Sequence, residues 1–242
     1  MSEARRALVT GGSGAIGGAL CRRLARDGHH VYVHAHHSIA LAETLVGEIR
    51  AGGGAAELVS FDITDGTATR SALEAVLEAG PIQILVNNAG LHDDAVLPGM
   101  RFEQWRRVID VSVNGFFNAT QPLLLPMIRT RWGRIINISS IAALIGNKGQ
   151  VNYAAAKGAL NSATKALALE VATRGITVNA VAPGIIGTPM TAGLFDAKAI
   201  ERLVPMNRVG LPQEVAGVVA FLASEDAAYL TAQIISVSGG MA

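Results

Sequence analysis

Cysteine is almost missing from this 242-residue chain: the one present, Cys21, excludes an internal disulfide and a pair of thiolates for a metal. It falls in the helical pattern Ala19-Leu20-Cys21-Arg22-Arg23-Leu24, where a buried small residue is the expected role. An excess of one charge is missing too. The formal net charge is +1, so the basic footprint of a general nucleic-acid binder is absent and nucleic acid is not an expected partner. Long hydrophobic runs are also lacking. The start, Met1-Ser2-Glu3-Ala4-Arg5-Arg6, leads into an apolar stretch too short for a signal sequence or a membrane span, which points to a cytoplasmic protein without a membrane partner. No proline-rich linker, charge block or low-complexity stretch divides the chain, so residues 1–242 read as one domain. Charged residues make up only 16% against 50% hydrophobic, and that lean surface predicts contacts with other copies of the chain, a homo-oligomer.

What is present is a regular alternation. Short apolar runs at 7–10, 30–34, 56–60, 82–86, 134–138, 176–181 and 234–237 are separated by stretches long enough for crossover helices. Runs that are β-branched along most of their length suit parallel strands covered on both faces. The pattern predicts an α/β architecture of three layers, a doubly wound seven-stranded parallel sheet with helices on both faces. Gly52-Gly53-Gly54 reads as the turn ending a helix before the third strand. Residues 187–212, carrying Pro189, Met190, Leu194, Phe195, Pro205 and Met206, break the rhythm and read as a long functional loop, a substrate lid.

Thr10-Gly11-Gly12-Ser13-Gly14-Ala15-Ile16-Gly17 follows the first strand and opens a helical pattern. Residues without side chains allow a tight turn and close approach of backbone to a pyrophosphate, which then lies at a helix N-terminus where free N–H groups and the dipole favour an anion. Gly11, Ser13, Gly14, Ala15, Ile16 and Gly17 are therefore candidate cofactor-binding residues of a Rossmann-like dinucleotide fold. No Lys-Ser or Lys-Thr follows, as a nucleoside triphosphate site would require.

The second strand ends at His34-Ala35-His36-His37-Ser38, with no acidic side chain to bond a ribose 2′-hydroxyl and repel a phosphate. His36 and His37 are read as donors to a 2′-phosphate, favouring NADPH over NADH; the plainer alternative is a solvated histidine loop. A metal site is not expected, because nothing nearby completes a ligand set. Asp62-Ile63-Thr64 and Asn87-Asn88-Ala89-Gly90 close the third and fourth strands, where ligands dock on open α/β sheets. Asp62 is read as an acceptor from an adenine amino group, with Ile63 beside it, or else as a helix cap. Asn88, Ala89 and Gly90 would let a cofactor run close to backbone.

Tyr153 and Lys157 are four residues apart and so share a helix face, and Ser140 precedes the tyrosine by thirteen residues at the end of the fifth strand. Hydride reduction of a carbonyl leaves an alkoxide that needs a proton. A phenol can supply it if its pKa is drawn down from about 10, which a neighbouring ammonium does. Tyr153 is then the proton donor, Lys157 lowers its pKa and bonds the nicotinamide ribose, and Ser140 donates to the substrate oxygen.

Together with Pro183-Gly184-Ile185-Ile186-Gly187-Thr188, these motifs resemble the short-chain dehydrogenase/reductase family over essentially the whole chain. Within it, Gly146-Asn147-Lys148-Gly149-Gln150-Val151-Asn152-Tyr153, Arg174-Gly175-Ile176-Thr177-Val178-Asn179 and the ending Val237-Ser238-Gly239-Gly240-Met241 are similar to 3-oxoacyl-[acyl-carrier-protein] reductases of fatty acid synthesis. The resemblance implies NADPH-linked reduction of a 3-oxoacyl thioester in a homotetramer. It places the Ile186 backbone and Thr188 on the nicotinamide carboxamide, Pro183 and Gly184 among the cofactor-binding residues, and Arg131 and Arg174 at docking positions for acyl carrier protein. Two departures stand out. Ala15 replaces a family glycine, and Ser112 in Asp110-Val111-Ser112-Val113-Asn114-Gly115 takes the place of an asparagine that supports a water relay to the lysine. The alternatives are a reductase of a free small ketone, alcohol or sugar, and a non-catalytic dinucleotide-binding regulator.

Overall fold

A computed structural model describes residues 4–189, 191, 193 and 196–242. Met1, Ser2 and Glu3 of the starting segment, and Met190, Leu194 and Phe195 of the expected lid, lie outside the described residues.

The strands are β1 (Arg6–Val9), β2 (His30–Ala35), β3 (Ala55–Ser60), β4 (Ile84–Asn87), β5 (Gly133–Ile138), β6 (Ile176–Pro183) and β7 (Ile234–Val237). Between them run α1 (Ala15–Arg26), α2 (Ile39–Ala51), α3 (Gly66–Glu78), α4 (Phe102–Ile109), α5 (Gly115–Thr130), α6 (Ala142–Ile145), α7 (Val151–Val171), α8 (Ala197–Leu203) and α9 (Pro212–Ala223). The sheet order is β3-β2-β1-β4-β5-β6-β7, every pair parallel. The winding reverses between β1 and β4, which opens a crevice above the carboxyl ends of the central strands.

Strand periodicity builds the layers. Val9, Val31, Val33 and Val86 face α1, α2 and α9 through Leu20, Leu24, Leu45, Ile49, Val215 and Val219. Leu8, Leu85, Ile135 and Val178 face the other way, against Leu73, Leu123, Met127, Ala168 and Val171 of α3, α5 and α7. Neighbouring residues such as Leu8 and Val9 therefore serve opposite cores, as alternation along a strand requires. Helices cover both faces of the sheet as expected, and the cover thins at the edges. Ala55, Glu57 and Ser60 of β3 are exposed and all of β7 is only half-buried, because an edge strand lacks one neighbour. Pairing in β4 begins at Ile84 rather than 82, after the chain enters through Gly80 at φ 121° and Pro81.

Residues 187–212 are more structured than a long loop. They contain α8, whose N-cap Asp196 accepts from the Ala199 N–H at 2.7 Å. The segment is stitched at its base, where Gly187 N–H donates to Gly210 O at 2.8 Å and Gly210 N–H to Ile185 O at 2.9 Å. Among the described residues no helix is long and apolar enough to cross a membrane.

Candidate active site

The glycine turn is held from two sides. Thr10 Oγ1 accepts the N–H groups of Asn88 and Ala89, both at 3.0 Å, and Asn88 Nδ2 donates to Thr10 O and Gly11 O at 2.9 and 3.0 Å. Asn88 therefore braces the turn, a role beyond the close approach expected from sequence. Gly11 adopts φ +63°, a Cβ on Gly12 would lie 2.8 Å from Val33 Cγ1, and one on Gly17 would collide with the Gly11 carbonyl oxygen. Gly14 caps α1 with no side-chain hydrogen bond, so the first-turn amides face outward to be met by an anion. Gly14 and Ala15 are both exposed at the cleft, and a Cβ even on Gly14 would make only ordinary contact. The methyl that departs from the family pattern is thus accommodated.

A cleft of about 490 Å³ runs from this turn to the end of β5. It is lined by Gly11, Ser13, Gly14, Ala15, Ile16 and Gly17, by Asn88, Ala89 and Gly90, by Ser140, Tyr153 and Lys157, and by Pro183, Gly184, Ile186 and Thr188. Backbone close to backbone at the turn, an uncapped helix start and a channel of this length fit a dinucleotide.

Seven expected residues do not line the cleft. The His36 and His37 rings meet in a tilted pair, 3.7 Å between centroids, just beyond its rim, next to the lining residue Ser38. Asp62 Oδ1 accepts from Thr64 N and Oγ1 at 2.9 and 2.8 Å and lies 3.9 Å from His36 Nδ1. The cap of α3 is Asp65, not Asp62. Ile63 is buried in a core, against the face of Gly115. Ser112 sits 2% exposed in a π-helical turn at 110–114 between α4 and α5, and its Oγ has no hydrogen-bond partner among the described residues. Asn114 bonds Asp110 instead, at 2.8 Å. Arg131 and Arg174 lie together, just before β5 and β6, at the opposite end of the sheet from Ser140.

At the reacting end, Ser140 Oγ accepts the Ala142 N–H at 3.1 Å and hydrogen-bonds the Tyr153 hydroxyl. Lys157 is 3% exposed; its Nζ donates to Ile138 O at 2.8 Å and lies 5.7 Å from the Tyr153 ring centroid. The two helix residues thus face one pocket. Burial dominates the electrostatics of both groups. Burial pushes the Tyr153 phenol up, the Ser140 hydrogen bond lowers it, and the Asp94 carboxylate raises it further. Burial likewise draws the Lys157 ammonium down, to about 8. Burial is the largest cause at both groups, because each is taken almost wholly out of water.

Sequence reasoning missed the supports. Asn152, fully buried, donates to Asp93 O at 2.9 Å and Gln104 O at 3.2 Å, pinning the start of α7 to the loop after β4 and to α4. Asn87 Nδ2 donates to Asn137 Oδ1 and Thr120 Oγ1, and Asn137 Nδ2 to Thr164 Oγ1, a buried network beneath the pocket. Asparagines inside apolar strands were its only signal.

An anion-receptive helix start sharing one cleft with a buried phenol and ammonium is what hydride transfer from a dinucleotide requires, and this sets the class: a dinucleotide-dependent oxidoreductase. Comparison with known proteins narrows it. A short chain dehydrogenase family model matches residues 5–199. A 3-oxoacyl-[acyl-carrier-protein] reductase of Synechocystis sp. is 43% identical over 237 residues, 97% of this chain and 96% of that protein. The 3-oxoacyl-[acyl-carrier-protein] reductase FabG of Staphylococcus aureus strain Mu50 is 41% identical over 244 residues, 100% of this chain and 99% of its own. The solved structure of a candidate gluconate dehydrogenase from Agrobacterium tumefaciens superposes with TM-score 0.94 at 33% identity, covering 98% of this chain and 95% of that one. The chain belongs to the short-chain dehydrogenase family. It is an oxidoreductase acting between CH–OH and C=O with a nicotinamide dinucleotide.

Proposed function

We propose that the chain reduces a carrier-bound 3-oxoacyl thioester to the 3-hydroxyacyl form with NADPH, in fatty acid or related polyketide-like synthesis. The observation that carries it is the meeting of Ser140, Tyr153 and Lys157 in one cleft with the glycine turn, in a chain whose relatives named as such reductases match it nearly end to end.

The dinucleotide supplies the hydride. Gly11, Ser13, Gly14, Ala15, Ile16 and Gly17 hold its phosphates, Asn88, Ala89 and Gly90 its middle, and Pro183, Gly184, Ile186 and Thr188 its nicotinamide end. Ser140 orients the substrate oxygen: the Ala142 amide occupies a lone pair of its Oγ, leaving the hydroxyl proton to donate. Tyr153 gives its proton to the developing alkoxide. Lys157, anchored on Ile138 O, keeps two further protons for the ribose and the phenol. Beyond the rim, His36 and His37 favour NADPH by donating to a 2′-phosphate, with Asp62 and Ile63 on the adenine side. Arg131 and Arg174 form a basic patch for acyl carrier protein. The same reading takes residues 1–242 as one cytoplasmic dinucleotide-binding and catalytic domain, working as a homotetramer.

The test is NADPH consumption with a 3-oxoacyl chain on carrier protein, beside its short free thioester. Turnover is expected with both, with a lower KM on the carrier. Tyr153→Phe should lose about 10²–10⁴-fold in kcat while still binding NADPH. Reversing the patch with Arg131→Glu and Arg174→Glu should raise KM for the carrier-bound substrate alone. Turnover only of free hydroxy acids or sugars would favour the second reading, which the likeness to the candidate gluconate dehydrogenase supports.

A further inference from the structure

We propose that His34 is a positioning residue for the dinucleotide, fixing the aim of the glycine turn from the end of the second strand. The inference rests on residues 10–17 being the phosphate-binding turn.

His34 is 2% exposed on β2, the strand beside β1. Its ring joins two things that do not otherwise meet. Nδ1 accepts the Gly11 N–H at 3.0 Å, and Nε2 lies 3.0 Å from the Phe61 carbonyl oxygen, just past β3. An amide can only donate and a carbonyl can only accept, so the partners fix the tautomer: the proton is on Nε2 and the ring is neutral. The ring rests on Phe61 at 4.0 Å between centroids, which removes its freedom to rotate away. The backbone adds a second hold, because the His34 carbonyl accepts the Gly12 N–H at 2.8 Å.

One residue therefore takes up two consecutive amides of the turn, while Asn88 takes the carbonyls of Thr10 and Gly11 from the other side. Peptide planes held at both poles cannot swing. Gly11 stays at φ +63°, and the amides left over, at the start of α1, converge on the cleft. Without the Nδ1 acceptor the Gly11 amide would be free to turn toward solvent or toward a phosphate, and the turn would lose its single orientation. His34 touches neither dinucleotide nor substrate; it acts through Gly11.

Two substitutions separate this role from simple packing. In His34→Asn the amide oxygen stands as many bonds from the backbone as Nδ1, so it can keep the Gly11 bond while losing Phe61. In His34→Gln the side chain reaches as far as Nε2 and can keep Phe61 while losing Gly11. Steady-state kinetics, titration with NADPH and NADH, and Tm are measured on the full chain. The expected result is a dinucleotide KM within about threefold of wild type for Asn and raised about tenfold for Gln, the scale of one lost hydrogen bond. Saturating kcat should stay within about twofold in both, and the Asn and Gln Tm values should be similar. Equal KM values in the two variants, or KM changes that track Tm, would overturn the proposal. Failure of wild type to bind either dinucleotide would instead overturn the reading of the turn on which it rests.

Discussion

Tyr153 needs its acidity adjusted, and the Ser140 hydroxyl lowers it against the upward push of burial. The sign sets the pH profile. A phenol raised by burial keeps its proton through neutral and mildly alkaline pH, so reduction should not lose its acid in that range. Lys157, drawn down to about 8, gives up its charge first, so reductive kcat should hold from acid to neutral pH and fall as pH rises through about 8. Oxidation of the alcohol needs the phenolate and should rise with pH instead. Ser140→Ala removes the lowering contact: the oxidative limb should move to higher pH and reductive kcat should fall about 10²–10³-fold. Profiles in both directions check this, and an unmoved oxidative limb would count against it. Ser112 is the other informative side chain. A buried hydroxyl with no partner among the described residues costs stability unless it serves something. Activity with serine at this position is expected to survive with an altered proton relay, and Ser112→Asn should change the pH dependence of turnover. Unchanged turnover and pH dependence would remove the relay role.

At the scale of elements, the succession of strands along the chain, the glycine turn and the Tyr-Lys helix were legible because each leaves a local periodic or compositional mark. Val9 and Leu8 alternate, and Tyr153 and Lys157 are four residues apart. The supports were not legible, because they depend on contacts between distant segments. Nothing local says that His34 reaches Gly11 or that Asn152 reaches Asp93. The seven-residue α8 is too short for a periodicity to rise above the prolines around it, and the π-helical turn at 110–114 lies inside a helical pattern that looks continuous. The turn carries the clearest prediction at this scale. A methyl on Gly17 must displace the Gly11 carbonyl, which Asn88 already holds, whereas the methyl already present at Ala15 is tolerated. Gly17→Ala should therefore weaken dinucleotide binding at least about tenfold, as expected where a carbonyl and its hydrogen bond are both displaced. Ala15→Gly should change it little. A titration on folded protein decides, and equal effects of the two would mean that the turn is not rigid.

For the whole molecule, the question is what covers the outer faces of its helices. The layer of α3, α5 and α7 buries one face of the sheet, yet Phe117 and Leu125 on α5 are 61% and 53% exposed and Leu169 on α7 is 81% exposed. On the other layer Phe221 of α9 is 43% exposed, and Tyr229 beyond it is fully exposed. Single exposed apolar side chains are ordinary, but large ones recurring on neighbouring helices of one layer are what a contact between copies requires. A net charge of only +1 offers little repulsion against such contact. Each apolar side chain of this size adds about 1.5–3 kcal/mol when fully covered, so a charge on one layer should be felt by the whole assembly. Sedimentation or light scattering is expected to give a multimer of the chain, with Tm rising with protein concentration, as mass action requires when association stabilises the fold. Leu169→Glu should lower the mass toward a smaller species and remove the concentration dependence, leaving the Tyr153 pocket, on the cleft side of the same helix, folded and able to bind dinucleotide. A monomeric wild type with a Tm independent of concentration would refute the assembly and leave the lean surface charge to be explained in another way.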